Sequence, residues 1–159
     1  MTETTIRAAL AGAVADVLES MFFREAPAEI REVTPEEDTV TIHLKFDGDP
    51  PGCFRMSLAQ AAANAIAADF LGEDAESITA RESTDVTLEL GNMICGAVLS
   101  RIESSATFRL GAPRVLTDEI EEAAAGESLR YTVETGSGPM TVAIQMETRT
   151  CPQTEKYAY

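Results

Sequence analysis

The chain has 159 residues and a mass of 17.0 kDa, enough for one domain with its own core and short of two. Asp and Glu number 27 against 12 Lys and Arg, a formal net charge of −15, which disfavours nucleic acid and anionic membrane surfaces as partners. Three widely spaced cysteines (Cys53, Cys95, Cys151), a single histidine (His43) and the absence of paired Cys or His motifs argue against a zinc site, and point to inert thiols in a reducing, cytoplasmic compartment.

Ile6, Leu10, Val14, Val17, Leu18, Met21 and Phe22 recur at helical spacing and predict an amphipathic core helix over about 5–23. Its acidic start, Thr2-Glu3-Thr4-Thr5, argues against a signal peptide, and no uncharged run of about 18 residues could span a membrane. After Pro27, strands are predicted over Ala28 to Val33 and Thr39 to Phe46. In the second, Val40, Ile42, Leu44 and Phe46 alternate with Thr41, His43 and Lys45, so one face is buried and one wet. That places His43 on the solvent face or partly buried. Asp47 to Gly52 is a turn, and Cys53 to Met56 a short strand. Ser57 and Gln60 form a capping-box pattern opening an alanine-rich helix, anchored by Leu58, Ile66, Phe70 and Leu71 and stopped by Gly72.

Ser83-Thr84-Asp85 predicts the start of a third helix over about 84–104, with Asp85 as an anion near its positive end. Thr107 to Leu110 is a predicted strand ended by Gly111-Ala112-Pro113, and Thr117 to Ala125 a short acidic helix or turn. Ser128 to Glu134 and Met140 to Glu147 form a hairpin around Gly136-Ser137-Gly138-Pro139, which lacks a phosphate-loop lysine. The tail, 150–159, is expected to fray. This order predicts one α+β domain over 1–159, a two-layer arrangement with helices packed on a mainly antiparallel sheet. Leu18-Glu19-Ser20-Met21 resembles Leu90-Gly91-Asn92-Met93, a hint of internal duplication.

The third helix carries the chemistry. At about 100° per residue, Asp85, Glu89, Asn92, Gly96, Ser100 and Glu103 fall within an arc of roughly 80°. Most of the remaining circumference is apolar, so the helix is embedded and one narrow polar stripe meets solvent. Glu89 and Asn92, three residues apart, are side-chain neighbours. Glycine inside a helix costs roughly 1 kcal/mol relative to alanine. Gly91 and Gly96 therefore need a reason: close packing of another element, or, at Gly96, room for a partner to approach the stripe.

Asp85-xxx-Glu89-xx-Asn92-xxxx-Ala97 resembles the (D/S)xxxExxNxxxxA signature of the CheC/CheX/FliY group of chemotaxis phosphatases. Glu89-Leu90-Gly91-Asn92-Met93-Ile94-Cys95-Gly96 is similar to the CheX form in particular. Gly111-Ala112-Pro113-Arg114-Val115 and Val17 to Phe23 resemble the stretch after the site helix and the end of the first helix in that group. The resemblance implies a CheC/CheX-like fold and dephosphorylation of a phosphorylated CheY-like receiver domain. It implies that Asn92 orients the attacking water and that Glu89 pairs with the partner's lysine. It leaves Asp85, Gly96 and Ser100 as partner-binding positions, and Mg²⁺ held by the partner with no cofactor or metal in this chain. A homodimer joined through sheet edges is also implied.

The chemistry fits that division of labour. An acyl phosphate is already high in energy, so hydrolysis needs mainly a placed water and charge stabilisation. A carboxamide can both donate to and accept from that water without bringing negative charge to the phosphoryl group. The first helix lacks the pair, since aligning Met21 with Met93 puts Val17 and Ser20 at the Glu89 and Asn92 positions, so one site per chain is expected. A non-catalytic receiver-binding adaptor on the same fold is the alternative reading. A small-molecule hydrolase is the third, and lacks a triad, metal cluster or carboxylate pair to support it.

Overall fold

The computed structural model describes residues 2–22, 28–30, 38–48, 50–102, 108–116 and 128–146. Helix α1 (Glu3–Phe22) buries Leu10, Ala13, Val14 and Leu18 completely, and the Thr2 hydroxyl caps it by accepting the Thr5 N–H at 3.1 Å. Met21, expected on its buried face, is instead 43% exposed, in the last turn of the helix. Strands β1 (Ala28–Glu29), β2 (Thr39–Asp47) and β3 (Gly52–Ala59) follow, then α2 (Gln60–Leu71), a short 3-10 turn (Ala75–Ser77) and α3 (Ala80–Ile102). Strands β4 (Arg109–Leu110), β5 (Arg114–Val115), β6 (Leu129–Glu134) and β7 (Pro139–Met146) complete the described elements.

All described strand pairs are antiparallel, in the order β1-β6-β7-β3-β2-β4, with β5 also on β2. The two-residue alternation read in the sequence holds. Ile42, Leu44, Phe46, Phe54, Met56, Leu58, Val133, Met140, Val142 and Ile144 face the helices and are buried. The β6–β7 hairpin closes through Gly136 (φ 96°) and Gly138 (φ 137°), left-handed conformations that favour glycine. The α+β layering is thus as expected, with the helices on one face of an antiparallel sheet.

The topology repeats. Each half runs helix, short edge strand, hairpin: α1, β1, β2–β3, then α3, β4 and β5, β6–β7. Each half's edge strand pairs with the other half's hairpin, β1 with β6 and β4 and β5 with β2, and the hairpins meet at β3–β7. Along β2, Leu110 lies opposite Phe46 and Arg114 opposite His43, so β4 and β5 spend one residue more than β2 does across the gap. The Gly111 N–H still reaches the Lys45 carbonyl at 2.8 Å, while Pro113 has no N–H to offer, which makes this edge bulged.

Three element boundaries and packings differ from the sequence expectation. Ser57 and Leu58 belong to β3, not to a helix start: the Phe54, Met56, Leu58 alternation carries the strand to Ala59, and the Ser57 hydroxyl bonds Thr41 at 3.0 Å. In α2 the packed residues are Ala62, Ala63, Ile66, Ala67 and Ala68, while Phe70 and Leu71 are 40% and 39% exposed at its end, before the left-handed Gly72 cap. Helix α3 begins a turn earlier than Ser83-Thr84-Asp85. Its start is a capping box in which the Thr79 N–H donates to Glu82 Oε1 (3.0 Å) and the Glu82 N–H to Thr79 Oγ1 (3.1 Å). The acidic segment Thr117 to Ala125, Glu103, Cys151 and the tail 150–159 lie outside the described residues.

Candidate active site

Helix α3 lies between α1, α2 and the sheet, and buries Val86, Leu90, Ile94, Cys95, Val98, Leu99 and Ile102. Two buried hydroxyls on it are satisfied internally. Thr87 Oγ1 donates to the Ser83 carbonyl at 2.7 Å, and Ser83 Oγ accepts from Gln60 Nε2 at 3.3 Å. Gly91 packs directly against the sheet. A Cβ there would stand 3.2 Å from Ile42 Cγ2 and 3.6 Å from Met56 Cε. The first explanation offered for a helical glycine, close packing of another element, is the one Gly91 follows.

The polar stripe emerges on the far side. Asp85, Glu89 and Ser100 are exposed, and Asn92 and Gly96 half-buried. Among the described residues a Cβ on Gly96 would meet only Leu110 Cδ2, at 3.9 Å, so the helix surface there is open to them. Glu89 and Asn92 stand side by side, with Cβ atoms about 5–6 Å apart for this spacing. Neither side chain hydrogen-bonds to another group among the described residues. Both are therefore free to address a second molecule, with a half-sunk carboxamide beside a projecting carboxylate.

Asp85 sits in the second turn, not at the helix start. Its nearest cation is Arg81 Nε at 4.0 Å, so a loose i,i+4 pair accompanies it where a capping-region anion was expected. Of the four arginines that could offset the acidic charge near the site, Arg81, Arg101, Arg109 and Arg114, only Arg81 extends the stripe, four residues before Asp85. Arg101 lies off the stripe: it pairs with Asp16 of α1, lies over Gly12 and donates to the Ala97 carbonyl at 3.2 Å. Arg109 and Arg114 belong to the sheet edge. Cys95 is buried and its thiol is pushed up to about 12 by desolvation and by the nearby Cys53, which leaves it unreactive. Among the described residues no group of three or more His, Cys, Asp or Glu is gathered as metal ligands, and no helix is long and apolar enough to cross a membrane.

The family model described as "Chemotaxis phosphatase CheX" matches residues 40–148, well over half of the chain and the whole of α3. The chain belongs to the CheX family. Three solved structures place it further. A CheX chemotaxis protein from Desulfovibrio desulfuricans has a TM-score of 0.72 at 20% identity, over 89% of this chain and 99% of that one. The CheX of a CheX–CheY–BeF3–Mg complex from Borrelia burgdorferi has a TM-score of 0.74 at 14% identity, over 89% and 97%. FliY from Thermotoga maritima is more distant, with a TM-score of 0.59 at 12% identity over 97% and 92%. At these identities the structural likeness concerns the fold. No curated protein matches the chain. The CheX family and its CheC/CheX-like fold are thus as the stripe's resemblance implied.

Proposed function

We propose that this CheX-family chain hydrolyses the aspartyl phosphate of a CheY-like receiver domain. The observation that carries the reading is the Glu89–Asn92 pair: adjacent, on the solvent side of α3 and without a hydrogen bond to another group among the described residues, on a helix held by core on its other sides. The Borrelia relative, crystallised with CheY, BeF3 and Mg, supports the choice of partner.

In this reading Asn92 accepts one water hydrogen and donates to the water oxygen, fixing it in line with the phosphorus. Water attacks, the bond between phosphorus and the aspartyl oxygen breaks, the carboxylate leaves, and the water's proton departs with inorganic phosphate. Glu89 pairs with a lysine of the receiver outside the phosphoryl shell and sets the register. The divalent ion belongs to the receiver. Asp85, Gly96 and Ser100 line the docking strip, where Gly96 leaves room for the partner's backbone. The reading includes a homodimer joined at the sheet edges, which sedimentation velocity tests; a monomer at micromolar concentration removes it.

The deciding experiment is phosphate release from a phosphorylated receiver. Asn92→Ala should lower turnover by about 10²-fold or more with the thermal transition unchanged, as loss of a positioning group in a pre-organised site does. Glu89→Ala should act through docking and raise the receiver concentration needed for half-maximal rate. Full activity in Asn92→Ala refutes the assignment. Binding of the receiver without faster phosphate loss in the native protein selects the non-catalytic adaptor instead.

A further inference from the structure

The face of the sheet turned away from the helices carries cations in an ordered array. Strand register aligns Arg114 of β5, His43 of β2, Arg55 of β3, Ala143 of β7 and Arg130 of β6 in one row across five strands. At about 4.8 Å per strand the row is roughly 19 Å long. Lys45 stands beside it, two residues from His43 on the same face, and Arg109 faces Asp47 at the edge. The neighbouring row is neutral and hydroxylic: Thr41 with Ser57 (3.0 Å) and Thr132 with Thr141 (2.9 Å).

The cations of the row and Lys45 have no carboxylate partner among the described residues. Arg7, Arg81 and Arg101 on the helices each have a carboxylate within 4.0 Å. Lys45, Arg55, Arg114 and Arg130 have none among the described residues. Arg114, Lys45 and Arg130 are exposed and Arg55 is half-buried. His43 lies between Arg114 and Arg55, its Nδ1 buried without a hydrogen-bond partner. Like charges directly opposite across strands destabilise a sheet. A chain with 27 acidic residues had ample means to intersperse them here, and solubility at a net charge of −15 needs no cationic row. Asp47 and Glu134 stand at the ends of this face, and the row itself holds no acid, so among the described residues the arrangement is a local inversion of the molecule's sign.

We propose that this face docks an acidic polypeptide segment of a partner protein, its carboxylates spaced along the Arg114–His43–Arg55–Arg130 row. Guanidinium forks bind carboxylates bidentately, and the hydroxyl row beside them can serve the segment's backbone. A short acidic segment meets the row within one Debye length, about 8–10 Å, whereas a long nucleic-acid backbone also meets the field of the whole −15 molecule. The site lies on the opposite face of the sheet from α3 and does not depend on the phosphatase reading.

The test uses the full chain and a fluorescent deca-glutamate peptide, followed by anisotropy. The native protein should bind saturably, and affinity should fall about tenfold between 20 and 200 mM salt, as charge-dominated binding does. The triple variant Arg55→Gln/Arg114→Gln/Arg130→Gln should bind at least about tenfold more weakly, while Arg7→Gln/Arg81→Gln on the helices stays within about twofold. Replacing the same three by Lys keeps the charge and should retain most of the binding, which separates recognition from folding. Equal binding by the Gln triple variant, no binding by the native chain, or tighter binding of a ten-nucleotide single strand than of the peptide overturns the proposal.

Discussion

Gly91 and Gly96 are separated by little more than one turn and meet opposite surroundings. At Gly91 a methyl group would press on Ile42 Cγ2 at 3.2 Å, and Ile42 is fully buried and β-branched, so it has little room to yield. The helix-propensity gain of about 1 kcal/mol is then cancelled or exceeded by overpacking. Gly91→Ala should leave the urea midpoint unchanged or lower it. At Gly96 the space is open, so Gly96→Ala should stabilise the protein by about 0.5–1 kcal/mol. If a partner's backbone approaches there, the same substitution should slow receiver dephosphorylation. A stabilised variant with unimpaired activity would strip Gly96 of its docking role. His43 offers a second test at this scale. Burial, then Arg55, Arg114 and Lys45, hold its pKa below 6.5 in the folded state. Below that pH the unfolded chain takes a proton that the native imidazole resists, so this contribution to stability is present above pH 6.5 and is lost as the pH falls from there through the lower folded-state pKa. The chain's only histidine gives one imidazole signal to follow by NMR, and a midpoint at or above 6.5 contradicts the placement. His43→Gln should flatten the acid side of the stability curve.

The capping box at Thr79 and Glu82 makes the start of α3 testable at the scale of the element. Thr79→Ala removes a hydroxyl that satisfies one orphan N–H and should cost about 1 kcal/mol. Thr84→Ala lies inside the helix and should change stability by less than about 0.5 kcal/mol. Urea midpoints of the two variants distinguish a helix starting at Ala80 from one starting at Thr84. The sequence did not make that start legible, because Arg81 to Asp85 is an unbroken polar run and the apolar period begins only at Val86. A Ser-x-x-Gln pattern at Ser57 looked like a cap but falls inside a strand, where tertiary pairing with Thr41 outweighs the local signal. The embedded middle of α3 was readable for a physical reason: a helix buried on most sides leaves a narrow polar arc, and Glu89 and Asn92 are in it. What periodicity could not supply was the depth of each residue on that arc. Asn92 is half-buried and Glu89 exposed, a difference that helical spacing does not encode.

At the scale of the molecule, the two halves share a topology, but the α1 position matching Glu89 belongs to the core. Superposing the helices by Met21 and Met93 puts Val17 where Glu89 stands and Ser20 where Asn92 stands. Glu89 is exposed, but Val17 is only 8% exposed and belongs to the core. The face of α1 equivalent to the stripe is turned partly inward, so the first half has an apolar contact at the position where the second half presents an acid. Internal duplication therefore does not imply two sites: the shared core uses the first helix face for packing and leaves the second for solvent. Writing the pair onto α1 tests this directly. Val17→Glu with Ser20→Asn should not raise receiver phosphatase turnover per chain. It should lower stability by about 2 kcal/mol or more, because a carboxylate is forced toward an apolar interior without a partner. Ser20→Asn alone, on an exposed position, should be nearly neutral. A doubled turnover with unchanged stability would mean that the two helix faces are equivalent and that the core does not choose between them.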